Sequence, residues 1–138
     1  VGKKCADAGL QLLYHNHDFE FMPNENDIVP IEYFLKNTDP KYVNFQMDLF
    51  WGPKAGADPV AYFEEYPGRF KLWHVKDMDE EGKFAPVGEG TIDFKRILAK
   101  KELSGMEYYM VEQDMTFNET PIEAINISHK GLKEIGFK

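Results

Sequence analysis

The sequence predicts an α/β fold with a parallel sheet, amounting to about half of a (β/α)8 barrel. Three observations predict it. Strand-like and helix-like apolar patterns alternate along the chain, and such alternation gives parallel strands joined by right-handed crossovers. All four strand-like stretches end in residues capable of chemistry. A barrel draws its site from the ends of many strands, whereas a doubly wound sheet concentrates it at one switch point. A closed barrel needs eight strands and about 250 residues. This chain of 138 residues has four units and no internal domain boundary, so residues 1–138 are expected to form one half-barrel.

The elements follow in order. The chain opens inside a helical pattern around Lys3–Ala8. Strands are expected near residues 10–17, 42–48, 70–76 and 107–113, from their length, their β-branched or aromatic content and their flanking turn residues. Between the first two, Pro30 to Lys36 reads as a helix with Ile31, Phe34 and Leu35 on one face. Asp58 caps the next, Pro59 takes its first position, and Pro67-Gly68 stops it after about Tyr66. A third helix is expected from Asp93 to about Leu103, with Phe94, Ile97 and Leu98 inward and Ser104-Gly105 at its end. The last begins with Thr120, Pro121 and Glu123, the spacing of a capping box. Ile122, Ile125 and Leu132 are its expected apolar stripe.

Composition narrows the function. Sixteen basic residues against 24 acidic ones give a net charge of −8, which opposes binding to a phosphate backbone, so no nucleic-acid partner is expected. The one cysteine, Cys5, cannot form an intrachain disulfide and reads as a small buried group. No apolar run approaches the length of a membrane helix, so no membrane partner is expected either. No signal peptide is present in the sequence. The expected location is cytoplasmic, with a targeting signal ahead of Val1 left open.

The strand ends carry the chemistry. In Tyr14-His15-Asn16-His17-Asp18-Phe19-Glu20, His15 and His17 share a strand face, and Glu20 lies just beyond the strand where it can turn back toward them. Asp48 closes Phe45-Gln46-Met47-Asp48, a costly place for a carboxylate unless it is paired or bound to metal. Trp51 after it either walls a ligand pocket or packs under the loop. His74 and Lys76 share a face of the third strand, with Asp77 on the other as a partner for a neighbouring ligand. Glu112 follows Tyr108-Tyr109-Met110-Val111, with Asp114 on the same side. Gly88 and Gly90, in Gly88-Glu89-Gly90-Thr91, either bring backbone close to a ligand or form a plain turn. Glu20, Asp48, His74 and Glu112 make an oxygen-rich set with one nitrogen, each from a different strand end. Such a set suits one divalent ion, with Mn²⁺ expected and Co²⁺, Mg²⁺, Fe²⁺ or Zn²⁺ as alternatives.

Together these segments resemble the sugar phosphate isomerase/epimerase family of xylose isomerase-like TIM barrels. The resemblance rests on YHNHDFEF (14–21), QMDLFWG (46–52), LWHVKDMD (72–79), VGEGTIDF (87–94) and MVEQD (110–114). It implies that the chain is the C-terminal half of the barrel, its last four β/α units, with Asp48, His74 and Glu112 as metal ligands of the sixth, seventh and eighth strands. The sequence departs from the family's ketose epimerases on the fifth strand. They carry a glutamate there, and this chain reads His15-Asn16-His17 with Glu20 beyond. Glu20 or His17 therefore completes the shell, Glu20 being preferred, and the departure leans toward the branch that contains dehydratases of keto-sugars. The resemblance further implies proton transfer beside the carbonyl of a small sugar, with Glu112 as base, His17 next, and Lys76 steadying an oxygen. His15, Trp51, Gly88 and Gly90 are the expected substrate contacts. The expected partner is the missing N-terminal half of the barrel or a second copy of this chain. Two other classes compete. A metal-dependent endonuclease on the same barrel would need a cationic groove that this acidic chain lacks, and a half-barrel could also be an inactive fragment or a non-catalytic module.

Overall fold

In the computed structural model, which describes residues 1–138, the chain runs α1 (Gly2–Asp7), β1 (Leu12–His15), a 3-10 turn (Phe19–Phe21), α2 (Pro30–Asn37), β2 (Val43–Asp48), α3 (Trp51–Lys54) and α4 (Pro59–Glu65). It continues through β3 (Phe70–Val75), a small hairpin of β4 (Asp77–Met78) and β5 (Phe84–Ala85), α5 (Phe94–Leu98), α6 (Lys101–Ser104), β6 (Tyr108–Val111) and α7 (Pro121–Ile135). The four expected strands form one sheet in the order β1-β2-β3-β6, and every neighbouring pair is parallel. This is the sheet of a (β/α)8 barrel, present in part.

Strand alternation divides the sheet into two faces. Tyr14 lies beside Phe45, Met47 beside Trp73, and Trp73 beside Tyr109. This layer packs under the helices, where Trp73 stacks on Phe63 of α4 at 5.3 Å between ring centroids. Ile31, Leu35, Phe45, Met47, Phe63, Phe70, Trp73 and Val75 are buried there. The opposite face carries His15 beside Gln46, Asp48 beside His74, and His74 beside Met110. Toward the β6 side it is open, with Tyr108 69% and Met110 55% exposed. β1 and β6 each have a neighbour on one side only. Unpaired strand edges and an uncovered apolar face are what a closing partner would cover.

The caps form as the sequence dictates. The Asp58 carboxylate accepts from Val60 N at 3.1 Å ahead of Pro59. Thr120 Oγ1 accepts from Glu123 N while the Glu123 carboxylate accepts from Thr120 N, which completes the capping box. Two expectations need correction. The helix expected over Asp93–Leu103 is divided into α5 and α6 at Ala99–Lys100, and Gly105, at φ 81°, ends the second piece. In α7 the expected stripe is wrong at two of three positions. Ile122 is 73% and Ile125 61% exposed, and only Leu132 is buried. The helix faces inward through Ala124, Ser128 and Leu132 instead. Close backbone approach sets this rotation. Ser128 Oγ accepts from Val87 N at 3.0 Å, and a Cβ on Gly131 would stand 1.9 Å from the Val87 carbonyl oxygen.

Candidate metal centre

Strand register brings the chemistry to one point. His15 ends β1, Asp48 ends β2 and His74 lies near the end of β3, all on the open face. Asp48 Oδ2 lies 3.2 Å from His15 Nε2 and 3.5 Å from His74 Nδ1. One ligand atom from each of the three lies within 4.8 Å of the others. Glu112, one residue past β6, brings Oε2 to 3.0 Å from His74 Nδ1.

The donor set fits a divalent metal. Ligand bonds of about 2.1 Å place neighbouring ligand atoms about 3.0–3.4 Å apart, in octahedral or tetrahedral geometry. The observed separations of 3.0 and 3.2 Å fall at that spacing, and the third, 3.5 Å, lies just above it. His74 Nδ1 is buried and makes no aligned hydrogen bond, although two carboxylate oxygens lie close to it. A buried imidazole nitrogen without a hydrogen-bond partner is rare, and here it is aimed where a cation would satisfy it.

Asp48 is fixed on its other side. Its Oδ1 accepts from Phe50 N at 2.9 Å and Trp51 N at 3.0 Å, and its own N–H donates to Asn16 Oδ1 at 3.0 Å. Burial raises the Asp48 pKa, but the imidazoles of His15 and His74, the Trp51 N–H and the Lys76 ammonium outweigh it and hold the carboxyl well below its usual range. Burial likewise raises Glu112, and the adjacent Lys76 and His74 reverse the sign. Lys76 shows the converse: burial lowers its pKa, and Glu112, Asp48 and Asp114 bring it above the ordinary value. Asp48, Glu112 and Lys76 are therefore charged at neutral pH.

His17 stacks on His15 at 4.9 Å and lies 5.5 Å from the Trp51 ring, so both flank the cluster. Glu20, the preferred first ligand, is turned the other way. Its Oε1 accepts from Tyr14 OH at 2.6 Å and its Oε2 from His17 N at 2.7 Å. Tyr14 belongs to the helix-side layer, packed against Phe34 and Phe45. Burial, then Glu20, pushes the Tyr14 phenol up to about 12. The nitrogen of His15 stands in the cluster where Glu20 was expected.

Gly88 and Gly90 are not at the cluster. Their N–H groups donate to Asp77 Oδ2 at 2.9 and 3.1 Å, while Met78 N and Ile92 N donate to Oδ1. Asp77 is 1% exposed and holds the whole turn, so its partners are backbone amides rather than a metal-ligating side chain. A Cβ on Gly90 would meet Asp77 Oδ1 at 2.2 Å, which accounts for that glycine without a ligand. Sequence reasoning missed Asn16, 1% exposed, which hydrogen-bonds Asp48 across the sheet. His15, expected as a substrate contact, lies instead in the candidate metal cluster, where its register beside Gln46 places it.

A four-stranded parallel sheet of the (β/α)8-barrel type, with a His/Asp/His candidate metal site at its strand ends, is the arrangement this chain presents. The xylose isomerase-like TIM barrel family model matches residues 1–129, and the chain belongs to that family. A sugar phosphate isomerase/epimerase from Parabacteroides distasonis superposes with a TM-score of 0.82 at 33% identity, over 99% of this chain and 49% of that one. Among curated proteins, inosose dehydratase of Lacticaseibacillus casei is 29% identical over 83% of this chain and 44% of its own length. Inosose dehydratase of Clostridium tetani is 26% identical over 97% and 51% respectively. The chain thus spans about half the length of the curated relatives it matches. No helix is long and apolar enough to cross a membrane.

Proposed function

We propose that residues 1–138 are the C-terminal half of a metal-dependent barrel enzyme that moves a proton beside the carbonyl of a small sugar, as sugar isomerases and epimerases do. The observation that carries this reading is the convergence of His15 Nε2, Asp48 Oδ2 and His74 Nδ1, with the His74 nitrogen lacking an aligned partner. These three, with Glu112, hold the ion, and Mn²⁺ suits the mixed nitrogen and oxygen donors. A bound divalent ion supplies Lewis-acid stabilisation of negative charge on a carbonyl oxygen.

The chain's own groups do the rest. Glu112 is ionised, half-exposed and within reach of the open face, so its carboxylate can take a proton from a carbon next to the carbonyl. Lys76 Nζ, 2.6 Å from Glu112 Oε2, is placed to steady a substrate oxygen. Trp51 and His17 wall one side of the site, with His17 stacked on the ligand His15. The missing half of the barrel, or a second copy of this chain, closes the sheet over the exposed Tyr108 and Met110.

A second reading, dehydration of a keto-sugar, begins with the same proton abstraction and ends with loss of hydroxide instead of reprotonation. The curated relatives named inosose dehydratase favour it, as does histidine rather than glutamate at the end of β1. Glu112→Gln tests both, because it keeps shape and removes the base. In the intact protein, with added metal in excess, the variant is expected to abolish exchange of the sugar's α-hydrogen with deuterated solvent. Full exchange would exclude Glu112 as base and point to His17.

A further inference from the structure

Lys76 is held by three carboxylates, and one of them has no place in the proposed ligand set. Its Nζ lies 2.6 Å from Glu112 Oε2, 3.0 Å from Asp114 Oδ2 and 3.1 Å from Asp48 Oδ2, and its side chain is 2% exposed. Asp48 Oδ2 is also the oxygen that faces His15 and His74, and Glu112 Oε2 is the one that faces His74. The ammonium and a divalent ion therefore draw on the same two oxygens, and at such separations two cations repel strongly in a desolvated site. A buried ammonium left without partners is costly, so it must keep a counter-charge when those oxygens turn to the metal. Asp114 supplies one. It follows Glu112 by two residues and hydrogen-bonds Lys76 from beyond the cluster. The Trp51 and Phe84 rings, 5.9 and 6.0 Å from Nζ, add a favourable apolar wall.

We propose that Asp114 is a positioning residue that retains the Lys76 ammonium beside the site while Asp48 and Glu112 serve a divalent cation, so that both positive charges face one substrate. The inference rests on the metal reading above. Without Asp114, the ammonium stays on Asp48 and Glu112 and competes with the ion.

The test is a double-mutant cycle on Mn²⁺ affinity, measured by calorimetric titration of the intact protein without substrate. D114N is expected to weaken Mn²⁺ binding about tenfold, the size of coupling usual for charges in direct contact. D114E should recover most of the loss. K76M should bind Mn²⁺ at least as tightly as the unaltered protein, and D114N/K76M should match K76M within about twofold, the error of additivity. Equal weakening by D114N in both backgrounds would overturn the proposal, because Asp114 would then act on the ion directly. No weakening in either would overturn it too. An unaltered protein that binds no Mn²⁺ would remove the metal reading itself, whereas one that binds Mn²⁺ with an additive cycle would remove the Asp114 role alone.

Discussion

Asp48→Ala is expected to lower divalent-metal affinity by more than about a hundredfold, since loss of even an outer partner of a ligand costs about 10- to 100-fold. The carboxylate has two separable duties. Oδ2 faces His15, His74 and Lys76, and Oδ1 accepts the Phe50 and Trp51 amides. Alanine loses both, and each buried amide left without an acceptor costs about 1–3 kcal/mol. Asp48→Asn separates them, because its amide oxygen can still accept Phe50 and Trp51 while its NH2 group faces the imidazoles. Asparagine is therefore expected to lose the metal and keep most of the stability. Metal content after dialysis reads the first effect and denaturant titration the second. Unchanged metal content and affinity in both variants would remove Asp48 from the site.

Asp77→Ala is expected to be the most destabilising single change outside the metal cluster, by about 3–5 kcal/mol, since four amides lose their acceptor and each buried one left unsatisfied costs about 1–3 kcal/mol. Four amides, of Met78, Gly88, Gly90 and Ile92, depend on one carboxylate. A Cβ on Gly90 would stand 2.2 Å from Asp77 Oδ1, so the carboxylate and the glycine backbone pack in direct contact. The loss is a large share of the roughly 5–15 kcal/mol that holds a domain. Asp77→Asn should fall between, since one amide oxygen can serve about half the donors and its NH2 group opposes the rest. A denaturation midpoint for Asp77→Ala close to that of the unaltered protein would refute this account of the turn.

The parallel sheet was legible because local pattern carries it. The first three strands turn Tyr14, Phe45 and Met47, and Trp73 to the helix side, and period-two alternation then assigns Asp48 and His74 to the other face. Caps were legible for the same reason, since Asp58-Pro59 and Thr120-Pro121 state their geometry in adjacent residues. Glu20 was not legible. Alternation holds only while the chain stays extended, and the 3-10 turn at Phe19–Phe21 swings Glu20 to the helix side, onto Tyr14. The rotation of α7 was hidden because hydrophobicity marks Ile122 and Ile125, while the packing is set by how closely Ser128 and Gly131 let the helix approach Val87. Asn16 escaped notice, and Asp77 was expected to orient a neighbouring ligand, because the backbone amides of Asp48 and Gly88 that they bind are distant in sequence. Arg69 escaped notice as well. It is 9% exposed and ties the α2 carbonyl of Leu35 to Thr38 and the Val43 carbonyl, with no carboxylate partner in contact.

The central claim is that His15, Asp48 and His74 share one divalent ion at the strand ends, with Glu112 beside them. Anomalous X-ray scattering at the manganese edge, from crystals of the intact protein grown with Mn²⁺, tests it most directly. The predicted result is a single peak within bonding distance of His15 Nε2, Asp48 Oδ2 and His74 Nδ1, with Glu20 still bound to Tyr14. A peak centred on Glu20, or no peak at the three strand ends at saturating Mn²⁺, would contradict it.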